Sequence, residues 1–281
     1  MNLNDYLFYI MYALIYLSMG VIMKVLLDFR VLNLYDAKEQ ITNNNLAVGV
    51  RRGGVQLGLA IAMIGVLSGG TSLDLQQEIT QTVGYGLLSV VFMLFSLLVT
   101  DKLVLPGIGN NEELKKGNLA VGVVEFGALI MTGIVAYASI AGEDGGLLSS
   151  VSYFFAGQVA LVVLVMLYEY IFSRHQVVAR VKAGNVSAGI YLASKLIAYG
   201  LILQSAILGS VTGSIEQAVY SFLAVAIGGM VILYIFELLI DWVIVTASKV
   251  SDILERDEQA AAIQLALAKI GMAAILGMAI L

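Results

Sequence analysis

The chain has 281 residues, of which 60% are hydrophobic and only 12% are charged, and its mean hydropathy is +0.93. This composition excludes a soluble globular protein, because such a domain could not cover so much apolar surface. With no cysteine and a single histidine, His175, the chain cannot form disulfides, thiolate metal sites or a Cys/His nucleophile pair. A formal net charge of -5 gives no support for binding to nucleic acid.

Eight apolar stretches are long enough to cross a bilayer, which takes about 20 residues of helix. In chain order they cover residues 6–27, 46–67, 79–100, 118–141, 148–172, 186–208, 217–245 and 260–281. The short charged segments between them leave no room for a soluble domain. We therefore predict an all-α integral membrane protein with eight transmembrane helices.

The positive charges predict the orientation of these spans. All 15 Lys and Arg residues lie in, or near the ends flanking, the connections that follow odd-numbered spans. The connections after even-numbered spans, at 68–78, 142–146 and 209–216, carry only acidic charge. Because basic loops stay in the cytoplasm, we expect a multi-pass protein with both termini outside the cytoplasm.

An internal repeat is the strongest local signal. The sequence Asn-Leu-Ala-Val-Gly-Val at 45–50 recurs unchanged at 118–123, and a third copy, Asn-Val-Ser-Ala-Gly-Ile, occupies 185–190. In the fourth copy the motif is replaced by Gln-Ala-Ala-Ala-Ile at 259–263, although Lys269 keeps the spacing from Gln259 that Lys195 has from Asn185.

Each predicted unit consists of an apolar helix ending near an acid, a charged link and a small-residue helix. Because a unit holds two spans, all four copies share one orientation, which makes them parallel repeats rather than inverted ones. We divide the chain into a first repeat pair at 1–141 and a second repeat pair at 142–281, with four spans in each.

These residues resemble a known family. Glu39 or Glu113, followed after a few residues by Asn-x-Ala and glycines that open an apolar helix, is similar to the YjfL-like bacterial inner-membrane family (domain of unknown function 350). Members are typically about half this length, so the chain resembles a tandem-duplicated form. The resemblance implies a bacterial inner (plasma) membrane location and a membrane-stress or coat-protein context. It implies no catalytic activity.

The residues that recur in the repeat motif have simple structural interpretations. Asn45, Asn118 and Asn185 are predicted to cap the even-numbered helices, and Glu39 and Glu113 lie near the same positive helix ends; an ion or headgroup site is the alternative. Glycines that would allow close helix contact are Gly54, Gly58, Gly122 and Gly127.

Charged residues inside the spans carry more information, because a charge at bilayer depth normally faces a partner or a wet cavity. The predicted network places acids opposite bases in the bundle. Its candidate members are Glu125, Lys195, Lys269, Lys24, Glu169, Glu237 and Arg52. Two interpretations stay open, a proton or ion path and a set of ion pairs that dock the repeats.

One motif invites comparison with a potassium filter. Residues 82–86 read Thr-Val-Gly-Tyr-Gly, which four loops supply around one channel pore. The other three units have no counterpart, and a glycine-containing start to an ordinary helix is the favoured interpretation. We leave a filter role as the alternative.

The function hypotheses follow from these features. We expect an ion- or solute-conducting, transporting or membrane-sensing protein that uses its buried charges. The alternative is a scaffold whose cytoplasmic links recruit a peripheral membrane-stress or coat-like partner. We expect no enzyme, no cofactor and no metal, since no catalytic pair of residues is present. The lipid bilayer is the expected partner, and a homo-oligomer stays open.

Overall fold

The computed structural model describes residues 3–68, 75–141, 146–171, 176–210, 214–243 and 249–280, and it is helical over almost all of them. Within these ranges eight helices are long and apolar enough to cross a membrane. They are α1 (Leu3–Val31), α3 (Leu46–Ser68), α4 (Leu75–Val99), α6 (Leu119–Ala141), α7 (Leu147–Ile171), α9 (Val186–Leu208), α10 (Ile215–Val243) and α12 (Gln259–Ile280). The predicted all-α fold with eight spans is confirmed.

Four short helices lie in the links that follow the first, third, fifth and seventh spans, which are α1, α4, α7 and α10. The short helices are α2 (Ala37–Thr42), α5 (Asn110–Lys115), α8 (Val177–Lys182) and α11 (Val250–Arg256). Just past the ends of these helices the backbone takes a positive φ, of 61° at Asn44, 84° at Gly117, 86° at Gly184 and 54° at Asp257. Glycine, asparagine and aspartate tolerate this conformation best. The same reversal therefore leads into each following span, and we call this side of the bundle the link face.

The helices that follow these links form the centre of the bundle. Helices α3, α6, α9 and α12 pack side by side in this order, and we call them the inner row. Helices α1, α4, α7 and α10 pack against the row; α1, α7 and α10 largely face outward, whereas α4 is half buried. Large apolar side chains are exposed along α1 and α10, as expected for helices that face lipid acyl chains.

Small residues allow the inner row to pack closely. A Cβ atom added at Gly122 would lie 2.6 Å from the carbonyl oxygen of Ala47, and one at Gly127 would lie 2.6 Å from the Cα of Ala193. A Cβ at Gly54 would lie 2.9 Å from the Cα of Phe126, and one at Gly58 would lie against the backbone of Leu129. All four predicted packing glycines are therefore at contacts between neighbouring helices of the row, where backbone approach replaces the missing hydrophobic drive.

The filter-like motif at 82–86 lies in the middle of a regular helix. Helix α4 begins at Leu75 and continues to Val99, after which a π-helix covers Thr100–Val104. Its carbonyl groups are therefore used in the hydrogen bonds of the helix and cannot line an ion path as a filter loop does. The filter alternative is wrong, and the helical interpretation is confirmed.

Candidate functional site

A buried ion pair joins the first two helices of the inner row. Arg51 of α3 and Glu125 of α6 place Nε and Oε2 2.7 Å apart, and their side chains are 4% and 0% exposed. Glu125 is seven residues past Asn118, which corresponds to about 10 Å along the helix axis. The carboxylate therefore lies at bilayer depth, where an uncompensated charge would be costly.

Polar groups from the link face surround this pair. Arg51 donates through Nη1 to Oδ1 of Asn111, at 3.0 Å, and to the hydroxyl of Tyr35, at 3.3 Å. Next to it, Asn110 donates to Asp101, which also pairs with Arg30. Burial raises the pKa of the Tyr35 phenol, so this hydroxyl stays protonated. A polar network thus extends from the links to Glu125.

A second cluster lies between α9, α10 and α12. Lys195 donates to Oε2 of Glu237 at 2.6 Å, and Nζ of Lys269 is 3.1 Å from Oδ1 of Asp241. Lys269 is fully buried and only the Asp241 side chain is appreciably exposed, at 27%. The ring of Tyr191 lies 4.6 Å from the Lys269 ammonium and 5.4 Å from that of Lys195, within the range of cation–π attraction.

The two clusters contain only part of the predicted network. The structure places Glu125, Lys195, Lys269 and Glu237 at buried positions, in two separate groups rather than one. Lys24 is exposed on α1 and does not face Glu125, because the α1 surface that packs on the bundle carries Met19, Met23 and Leu27 instead. The Glu169 side chain lies outside the part of the chain that the structure describes.

Arg52 also lies apart from the buried clusters. It pairs with Asp28, whose side chain is 42% exposed, so this is a peripheral contact between α3 and α1. The repeat offset pointed to Arg52 and missed Arg51, which is the partner of Glu125. Arg51 precedes Gly54 by three residues and Gly58 by seven, so helical spacing puts it on the same face as these packing glycines. That spacing is the signal from which it could have been found.

The three motif asparagines connect successive helices of the inner row. Each side-chain oxygen accepts from a backbone N–H in the first turn of its own helix, at Val48, Val121 and Ala188. Each amide nitrogen donates to a carbonyl near the end of the next link helix. The acceptors are Leu114 for Asn45 (2.9 Å), Val181 for Asn118 (3.2 Å) and Leu254 for Asn185 (2.7 Å). These residues therefore cap one helix and dock the next link.

The acids near these helix ends differ from each other. Glu113 accepts from Nδ2 of Asn118 at 3.0 Å and from Nζ of Lys116 at 2.7 Å, and these bonds hold the pKa of the Glu113 carboxyl below its usual value. Glu39 does not occupy the matching position. Gln40 receives the corresponding bond from Asn45, because it precedes the asparagine by the same five residues, so the predicted equivalence of Glu39 and Glu113 is off by one position.

The fourth unit is also shifted by one residue relative to the sequence alignment. Glu258 donates its backbone N–H to the carbonyl of Ile253, five residues earlier, as Asn118 does to Glu113 and Asn185 to Arg180. Glu258 rather than Gln259 therefore occupies the asparagine position. Lys269 is eleven residues past this position, and it meets Asp241 rather than repeating the contact of Lys195.

Substitution of Asn185 separates its two roles. Asn185→Ala removes the cap and the bond to Leu254, and we expect a loss of about 2 kcal/mol, about half from each role. Asn185→Ser keeps a capping oxygen but cannot reach Leu254, so about half of that loss is expected. Thermal unfolding of both variants in detergent would measure this. Equal stability of Asn185→Ser and the original chain would contradict the docking role.

The described residues hold no group of three or more His, Asp or Glu side chains suited to a metal ion. The two buried clusters offer the chemistry of paired charges. Both clusters can accept, hold or release a proton if a pair separates, and both can fasten helices to one another while the pairs stay intact.

Comparison with known proteins gives the family. A family model described as "Domain of Unknown Function (DUF350)" matches residues 1–140 and again residues 144–280. A UPF0719 transmembrane protein of Aquifex aeolicus (strain VF5) is 28% identical over 200 residues, covering 67% of this chain and 72% of the relative. No solved structure matches. The resemblance to this family in duplicated form is confirmed, and the chain belongs to the DUF350 family of membrane proteins.

Proposed function

We propose that this protein moves protons or a small cation through the bilayer, with Lys195, Glu237, Lys269 and Asp241 as the ion-binding cluster. The observation that carries this proposal is the burial of Lys195, Lys269 and Glu237 between three spans, with the partly exposed Asp241 beside them. Such a cluster is an expensive way to dock helices, since well-packed apolar residues usually stabilise a contact as much or more. Charges at this depth are typical of ion and proton pathways.

The cluster has an arrangement suited to this role. Asp241 is two residues from the end of α10 and is partly exposed, whereas Glu237 is one turn deeper and buried. Lys269 pairs with Asp241, the acid nearer the link face, and Lys195 pairs with Glu237, the deeper acid. The formal charges of these four groups cancel. A proton that arrives at Asp241 can separate it from Lys269 while the pair of Lys195 and Glu237 stays intact.

The proposal includes an orientation. With the link face toward the cytoplasm, as the positive charges predict, Asp241 opens to the cytoplasmic side of a bacterial inner membrane and both termini lie outside. Protons would then enter or leave the cluster from the cytoplasm.

Proteoliposomes test this function. A pH-sensitive dye inside the vesicles should report proton movement driven by a pH gradient or a potassium diffusion potential, and Glu237→Gln should abolish it. The double variant Lys195→Met/Glu237→Gln leaves no unpaired charge, so loss of flux in a folded protein would not reflect misfolding. Asp28→Asn, which opens a peripheral pair, should retain full flux. Absence of proton, sodium or potassium flux in either gradient direction would refute the proposal.

A second candidate function, as a scaffold, is favoured by the surface of the link face. Lys38, Lys115, Lys116 and Lys182 are exposed on or beside α2, α5 and α8, which the motif asparagines hold in a row. An acidic cytoplasmic membrane-stress protein would fit such a surface. This function predicts that Lys115→Glu/Lys116→Glu abolishes recruitment of that partner to reconstituted protein, whereas Glu237→Gln leaves recruitment intact.

A further inference from the structure

The two ends of the inner row have faces that are covered everywhere else in the row. At the first two internal contacts, an alanine of the preceding helix fits against a glycine of the next, and α12 packs on α9 in the same order. A Cβ atom added at Gly122 would lie 2.6 Å from the carbonyl oxygen of Ala47. One added at Gly189 would lie 2.7 Å from the carbonyl oxygen of Ala120. The contact is heterologous, since each helix presents one face to the preceding helix and a different face to the next.

In each later helix of the inner row, one face is covered by the preceding helix, and we call it the receiving face. On α3, the first helix of the row, this face is uncovered. Gly122, Gly189 and their counterpart in α12, Ala262, are all buried. Gly49 occupies the same place in α3, and it is exposed, with no atom within 4 Å of a Cβ built on it. A shallow recess of about 280 Å³ lies beside Gly49, lined also by Ile41, Asn44 and Leu46.

The opposite face, which packs on the next helix of the row and which we call the donating face, is uncovered on α12, the last helix. Ala47, Ala120 and their counterpart in α9, Ser187, are fully buried against the next helix. Ala260 holds this place in α12 and is exposed. The exposed face continues along α12 through Ile263, Leu267 and Ile275, so it is apolar over most of the span.

We infer that a second copy of this chain covers these faces, with α12 of one copy packed on α3 of the next as each inner helix packs on its neighbour. The occupant is a second copy because the contact continues an interface that the chain already makes three times. Ala260 of one copy would lie against Gly49 of the other, with its helix start in the recess.

Polar groups at the two ends fit this contact with donor and acceptor exchanged. The internal contacts use an asparagine amide that donates to a link carbonyl, but the last unit has the Glu258 carboxylate at that position. The first unit carries exposed Asn43 and Asn44 where the other links have no such pair of amides. The carboxylate of one copy would accept from these amides of the next.

Disulfide trapping tests the contact directly, because the chain has no cysteine of its own. Two differently tagged chains, one with Ala260→Cys and one with Gly49→Cys, are co-expressed and oxidised in the membrane. A mixed dimer is expected, together with higher species when one chain carries both substitutions. The matched control replaces Ala260→Cys by Leu239→Cys, which is exposed near the same end of α10. A mixed dimer no more abundant than in this control would overturn the inference.

Two further results would also overturn it. Gly49→Cys alone forming dimers as efficiently as the mixed pair would indicate a symmetric contact instead. A monomeric mass for the original chain at all protein concentrations in lipid nanodiscs would exclude association.

We expect an assembled mass for the original chain and for Gly228→Leu, and a monomer for Gly49→Leu. Both glycines have open space around them, so neither substitution should disturb the fold. Flux measurements are independent of these outcomes.

Discussion

Arg51→Met is expected to destabilise the protein by about 3–5 kcal/mol, because it leaves the Glu125 carboxylate buried without its cation. Nothing else with a full positive charge contacts Glu125 in the described part of the chain. Tyr35 and Asn111, which now accept from Arg51, would lose a donor as well. The loss should appear in the free energy of unfolding measured by titration with a denaturing detergent.

Two control variants show whether Arg51 stabilises the protein through its charge or through its packing. Arg52→Met removes the neighbouring arginine, whose partner Asp28 is 42% exposed at the edge of the bundle, and should cost no more than about 1 kcal/mol. Arg51→Met/Glu125→Leu removes both charges and should recover most of the stability that the single variant loses. An equal loss in the single and double variants would show that Arg51 acts through packing rather than through its charge.

Arg51 also illustrates what the sequence predicts and what it does not. Eight spans follow from the length and composition of the apolar runs, since the bilayer imposes both. The choice between Arg51 and Arg52 depends on the direction in which a helix faces, and adjacent residues differ by about 100°. A repeat offset aligns residues in sequence but does not say which of two neighbours is buried.

The register of the fourth unit was missed for a similar reason. Its asparagine is replaced by Glu258, so alignment by residue type shifted the unit by one position. The residue with positive φ that precedes each motif position, of which Asp257 is the fourth, would have given the correct register. Turn residues are a better guide here because the geometry of the link requires them, whereas the capping residue can change.

Lys24 was predicted inside the bundle and lies outside it. A lysine two turns from the end of a span can extend its ammonium toward the interface, which makes its depth a poor guide to burial. Glu125 and Glu237 are too short to do this, and both are buried. Glutamates within a span are therefore the more reliable indicators of an interior position.

Gly127→Leu is the substitution expected to disrupt the contact between the two halves of the chain. A Cβ at this position would lie 2.6 Å from both the Cα and the Cβ of Ala193, so α6 and α9 would have to move apart. These helices join the segments 1–140 and 144–280. We expect a loss of about 1–3 kcal/mol or more from overpacking, measured as a lower midpoint of thermal unfolding in detergent.

Gly228→Leu is the matched control, since a Cβ at Gly228 has nothing within 4 Å. It makes the same chemical change on α10, and leucine favours a helix more than glycine does, so its midpoint should be unchanged or slightly raised. Gly127→Ala should fall between the two, because it adds one methyl group in the same tight place. A midpoint for Gly127→Leu equal to or higher than that of Gly228→Leu would contradict this prediction. It would mean that the contact between α6 and α9 does not depend on close backbone approach, so the inner row would need another source of stability.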